Sequence, residues 1–190
     1  MKTAAKFYFG LGAFGAIFVY WGVYWITDGG LIASAAVSLA YSAVYVSVAR
    51  ARGYATQLDY AISLFFLVGV LVSLADLDFA RRTILFGLFS PMLYGFLCVV
   101  AWAPLLVGAE PFTVDYAKRT TPQESQSHPL FVRITRLLAA FWGLLFLISA
   151  VVSVPQTFVS AGLIPMLLMI GIGIPFTIWF PRYYVRRHAS

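Results

Sequence analysis

The sequence predicts an all-α, polytopic membrane protein of six transmembrane helices with both termini in the cytoplasm. Three observations carry this reading. Of 190 residues, 62% are apolar and 11% are charged, against roughly 25% charge in a soluble domain. The apolar residues gather into runs close to the roughly 20 residues that cross a bilayer. Once those runs alternate across the membrane, Lys and Arg fall almost wholly on one side. What remains forms short connections and ends, too little for a soluble domain of the usual 100 or so residues.

The first span is expected over about 7–26 and stops at Asp28-Gly29-Gly30, where glycines tolerate a reversal of the chain. Its apolar stretch exceeds the roughly 7–15 residues of a secretory signal core and is rich in bulky aromatics, so it reads as a span rather than a cleaved leader. The second covers about 31–49 and ends at Arg50 and Arg52, and the third covers about 58–75. Asp76, Asp78, Arg81 and Arg82 then break the apolar pattern before the fourth span, about 83–107, which contains Pro91. A polar connection follows over 108–128. The fifth span covers about 137–154, with an amphipathic lead-in from Pro129 that carries Arg133 and Arg136, and the sixth covers about 157–180. Tyr20-Trp21-Gly22 is similar to Phe141-Trp142-Gly143, a faint sign of internal repetition.

Thirteen basic and seven acidic residues leave a net charge of +6. In a soluble chain this would point to nucleic acid; here the charges flank apolar spans, and no nucleic-acid partner is expected. With the N-terminus inside, Lys2, Lys6, Arg50, Arg52, Lys118, Arg119, Arg133, Arg136, Arg182, Arg186 and Arg187 are cytoplasmic, and only Arg81 and Arg82 face out. These two lie three and four residues after Asp78, the spacing at which side chains pair on a helix.

No Asp, Glu, Lys, Arg or His falls near the middle of a span, and such groups are the usual means of proton relay, ion coupling and voltage sensing. Catalysis by a positioned base, nucleophile or metal centre is disfavoured for the same reason. Single Cys98 excludes an intrachain disulfide, and His128 and His188 lie outside the spans, where neither offers an axial haem ligand or a copper or zinc set. No cofactor and no metal site is expected.

Three patterns inside the spans have competing explanations. Gly10, Gly12 and Gly15 spell GxGxxG, but within a membrane helix rather than between a strand and a helix, so they read as close packing and not as a dinucleotide turn. Ser34, Ser38 and Ser42 recur every four residues as a polar stripe, suited either to helix packing with hydroxyls bonded to backbone carbonyls or to the wall of a neutral-solute path. Gly87, Pro91 and Gly95 in the fourth span, and Pro165, Gly171, Gly173 and Pro175 in the sixth, read as kinked packing or as the broken helices of a carrier.

Two polar clusters are candidate interaction sites. Asp76, Asp78, Arg81 and Arg82 form an outer-face cluster, either a capped turn with a headgroup-level ion pair or an edge that takes lipid phosphate. In the cytoplasmic connection, Thr113 is expected to cap a short turn with Asp115 near its start and Lys118 and Arg119 near its end, matching the helix dipole. Thr121-Pro122-Gln123-Glu124 has the capping-box pattern with proline at the first helical position. Phe112 and Tyr116, four apart, share a face and are expected against the membrane interface or the bundle, with Lys118 and Arg119 reaching anionic headgroups.

The stretch EPFTVDYAKR, followed shortly by HPLFVRITRLLAAFWGLLF, resembles the loop and following helix of the intracellular septation protein A-like group of bacterial inner-membrane proteins. The upstream order is also similar: an arginine-bearing connection, a helix opening with Asp59, a D-x-D-x-x-R turn at Asp76, Asp78 and Arg81, and a glycine-containing helix before Pro111-Phe112-Thr113. The resemblance covers about 50–154. It implies a small multi-pass protein of the bacterial cytoplasmic membrane linked to the cell envelope or cell division, with no catalytic residues to carry over. The expected role is a non-enzymatic scaffold, bound to the lipid bilayer and to other inner-membrane proteins or to a second copy. The alternative is a small transporter, or a substrate-capturing transport subunit, for a neutral solute or lipid. An enzyme would have to place its chemistry in the polar connection.

Overall fold

The structure, a computed structural model, describes residues 12–27, 30–75, 88–155 and 157–188. Every regular element among them is helical: α1 (Gly12–Ile26), α2 (Leu31–Ala51), α3 (Gln57–Leu74), α4 (Phe89–Val107), α5 (Phe112–Lys118), a 3-10 turn (Gln123–Ser125), α6 (Pro129–Val152) and a last helical run. That run is π-helical over Phe158–Leu163 and Leu168–Gly173 and α-helical over α7 (Ile164–Leu167) and α8 (Ile174–His188). Five stretches are long and apolar enough to cross a membrane: Ile32–Ala51, Gln57–Leu74, Phe89–Val107, Pro129–Val152 and Val159–His188, while the apolar helix Phe14–Ile26 is shorter. Packing divides the chain into two units, Met1–Phe89 and Ser90–Ser190.

In the first unit α1 packs on α2, and α2 on α3. A Cβ at Gly12 would run into the Tyr45 ring and one at Gly15 into the Tyr41 hydroxyl, so these glycines seat tyrosines of the next helix. At the C-terminus of α2, Gly53 adopts φ +72°. Its amide donates to Arg50 O at 3.0 Å and that of Tyr54 to Ala49 O at 2.9 Å, the paired bonds of a left-handed helix stop. The chain then turns into α3 through a full capping box. Asp59 N donates to Thr56 Oγ1 at 3.3 Å, and Asp59 Oδ2 accepts from Thr56 N at 2.8 Å and Thr56 Oγ1 at 2.9 Å. Further along, Tyr20 stacks on Phe89 at 4.2 Å and lies 5.9 Å from Phe66, an aromatic knot in which all three rings are buried.

In the second unit, tryptophans enter notches opened by glycines. Trp102 on α4 occupies the space that a Cβ at Gly143 would fill, and its indole N–H donates to Ala140 O at 3.1 Å. Trp142 on α6 lies against Gly173, where a Cβ would come 2.7 Å from the ring, and donates to Thr177 Oγ1 at 3.0 Å. Gly22, the counterpart of Gly143 in the faint repeat, would have nothing within 4 Å of an added Cβ, so the two glycines do different things.

Several boundaries differ from the sequence expectation for physical reasons. The described part of the fourth span begins at Phe89, which puts Pro91 in the first helical turn, where its missing N–H has no partner to lose. Gly87 lies outside the described residues. The proline inside that helix is Pro104, and Gly108, at φ +76°, ends it with Ala109 N bonded to Pro104 O at 2.8 Å. The fifth helix and its lead-in are one element, because His128 Nδ1 accepts from Leu130 N at 3.1 Å and Pro129 opens the first turn. The sixth does not stop near residue 180 but runs on to His188. Its prolines leave it continuous. The rings of Pro165 and Pro175 press on the carbonyls four residues back, those of Ala161 and Gly171, and both carbonyls lie in the π-helical segments, whose wider turns move them clear; Pro181 lies within α8 itself.

Candidate interaction site in the polar connection

The connection after α4 is built rather than slack. Pro111, extended at φ −76° and ψ 157°, precedes α5, and Phe112, Thr113 and Val114 are buried where α5 packs on α6. Thr113 lies inside the helix rather than capping it. Its hydroxyl donates to Thr135 O at 2.7 Å, and the Thr135 hydroxyl in turn donates to Phe131 O and Val132 O, each at 3.0 Å. A buried hydroxyl finds its acceptor across the helix pair, which anchors α5 along α6.

The aromatic pair forms as its spacing suggests: Phe112 and Tyr116 meet edge to face at 6.2 Å, and the Arg119 guanidinium lies 4.8 Å above the Tyr116 ring. Lys118 pairs with Glu110 at 2.8 Å, closing the loop across α5. Both partners are largely exposed, so the pair contributes no more than about 1 kcal/mol. Asp115 sits in the first turn at the positive end of the helix dipole. Beyond α5, Pro122 precedes the 3-10 turn without a side-chain cap, so the expected capping box at Thr121 does not form. Gln126 holds this part instead, its Nε2 donating to Thr121 O at 2.9 Å and to Lys118 O at 3.2 Å. Gln123, Glu124 and Ser125 stay exposed at the tip.

Ser34, Ser38 and Ser42 are all buried. Ser34 Oγ donates to Gly30 O at 2.8 Å and Ser42 Oγ to Leu39 O at 3.0 Å, the back-bonding expected of packed serines, while Ser38 Oγ has no hydrogen-bond partner among the described residues. The outer-face cluster of Asp76, Asp78, Arg81 and Arg82 lies outside the described residues. The structure thus brings Phe112, Thr113, Tyr116, Lys118 and Arg119 into one docked element.

Sequence reasoning missed the partners that dock this element: Glu110, Thr135 and Gln126. Only the eight-residue spacing from Glu110 to Lys118 hinted at a closure, since Thr135 is 22 residues from Thr113 and unremarkable in its own helix. It also missed Arg136, whose guanidinium donates to Leu105 O at 3.1 Å and ties α6 to the end of α4. Compared with known proteins, the chain matches no family model, no curated protein and no solved structure.

Proposed function

We propose that the chain is a six-span protein of the bacterial cytoplasmic membrane, with both termini and the 108–128 connection inside. It acts without turnover by presenting that connection to another membrane protein, or to a second copy, in a cell-envelope or division process of the kind the septation-family resemblance implies. One observation carries the reading: α5 is anchored by its buried first turn and by the Thr113–Thr135 bond, and it holds an exposed polar tip at a fixed place. A plain tether would not need buried residues or a bond across helices, because a flexible loop of this length costs little entropy to close. Rigid presentation lowers the ordering cost of binding, which is what a recognition element requires.

The test is photocrosslinking in native membranes from probes at Gln123 and Glu124, compared with a probe at Leu67 on an apolar face of α3. A discrete crosslinked partner from the tip that disappears in Thr113→Val supports the reading. Saturable, gradient-dependent solute uptake by liposomes holding the purified chain would overturn it in favour of a transporter.

A further inference from the structure

No Asp or Glu follows Glu124 in the sequence, yet Arg133, Arg136, Arg182, Arg186 and Arg187 do. None of the five pairs with a carboxylate among the described residues. Arg136 takes a backbone carbonyl, Arg187 donates to Tyr183 Oη at 3.0 Å, and the Arg133 guanidinium lies 5.9 Å from the Tyr184 ring. Tyr184 is buried and stacks at 4.1 Å on His188. The Arg133 guanidinium from the start of α6 and the His188 ring from the end of α8 therefore meet at Tyr184, and no carboxylate pairs with these arginines among the described residues.

The two faces of α8 show what lies around this charge. Phe176, Phe180 and Tyr184 pack inward with Ile134 and Leu138 of α6. On another face Trp179 and Tyr183 stack at 4.9 Å while remaining 55% and 42% exposed, and Arg186 and Arg187 lie on the next turn of the same face. Ascending this face, exposed aromatics give way to arginines over about 10 Å at 1.5 Å per residue. That is the order of a bilayer edge, with aromatic side chains at the interface and phosphate beyond. The length agrees: the 30 residues Val159–His188 span about 45 Å against a hydrocarbon core of about 30 Å, so one end must reach the headgroups.

We propose that the junction of α6 and α8 is a binding site for anionic phospholipid headgroups, with Arg186 and Arg187 meeting the phosphate, Trp179 and Tyr183 at the acyl boundary, and Arg133 adding positive charge from the neighbouring face beside Tyr184. An acidic protein would meet the same charges but leaves the exposed stacked aromatics without a role. Lipid accounts for both features.

The experiment uses the full chain in neutral phosphatidylcholine bilayers with spin-labelled phosphatidylglycerol or phosphatidylcholine as probe, reading the motionally restricted fraction. Phosphatidylglycerol should be preferred by about ten-fold at low salt, with the preference falling as salt rises. It should vanish in the combined Arg133→Gln, Arg186→Gln, Arg187→Gln variant and persist in the Arg50→Gln, Arg52→Gln variant. The combined Arg→Lys variant guards against misfolding, since it keeps the charge and should keep most of the preference. Equal restriction of both lipids by the wild-type chain, or a preference unchanged in the triple glutamine variant, would overturn the proposal. So would displacement of the lipid by a few millimolar inorganic phosphate, which would mark a site for free anions, or crosslinks from position 186 to an acidic protein in place of lipid selectivity.

Discussion

The Trp142 indole N–H donates to Thr177 Oγ1 at 3.0 Å, and the Thr177 hydroxyl in turn donates to Gly173 O at 2.8 Å. The two bonds fasten α6 to the last helical run just after the π-helical segment that Pro175 opens, where Gly173 has no side chain to keep the indole out. Between helices surrounded by lipid, such packing and hydrogen bonding replace the hydrophobic drive that water supplies elsewhere.

This joint predicts a graded mutant series. Thr177→Val leaves the indole N–H without its partner and should cost about 1 kcal/mol. Gly173→Leu fills the notch and should cost more, since a buried clash forces off-rotamer side chains at about 1–3 kcal/mol. Thermal unfolding in detergent, followed by the loss of helical signal, will rank them. If Gly173→Leu matches the wild type, the notch does not seat Trp142.

At the start of α3, Thr56 and Asp59 satisfy each other's backbone amides while nearly fully buried. Replacing either by Ala should lower stability by about 1–2 kcal/mol. Asp59→Asn, which keeps an acceptor oxygen, should cost less than Asp59→Ala. Equal losses for the two would mean that packing rather than capping places Asp59.

Docking of α5 predicts slow amide exchange. In lipid discs, the amides of Asp115 to Lys118 should exchange well behind those of Gln123 to Ser125 at the exposed tip, and Thr113→Val should narrow the gap. Uniformly rapid exchange from Phe112 to Arg119 would return the connection to a simple tether.

The proposed orientation rests on the eleven-to-two division of the basic residues. In a Cys98→Ala background, single cysteines at Gly29 and Leu77 should react with an impermeant reagent added outside intact cells, and one at Ser125 should not. Modification of the Ser125 probe alone would reverse the topology.

Positions of helices were legible in the sequence because each span must satisfy its backbone within itself. Apolar length and local stop signals are then enough. Gly53 and Gly108 end α2 and α4 through left-handed turns, and Pro129 opens α6, all set by neighbours within a few residues. The docked loop was half legible for the same reason: the four-residue spacing of Phe112 and Tyr116 is a local fact, and the ring pair forms.

Tertiary structure alone decided what lies beyond such spacing. Thr113 looked like a cap because Asp115 follows near the start of the turn and Lys118 and Arg119 near its end, but burial against α6 turned its hydroxyl to Thr135, 22 residues on. Pro91 looked like a kink until its place in a first turn removed the penalty. The sequence places the arginines after residue 180 beyond the end of the sixth span, whereas packing of Phe176, Phe180 and Tyr184 on α6 carries the helix through them and gathers Arg133 beside Tyr184. A hydroxyl, a proline or an arginine carries the same chemistry wherever it stands. Which face it meets depends on helices whose apolar surfaces are nearly uniform in composition, so only their packing, through notches such as Gly143 and Gly173, selects one arrangement.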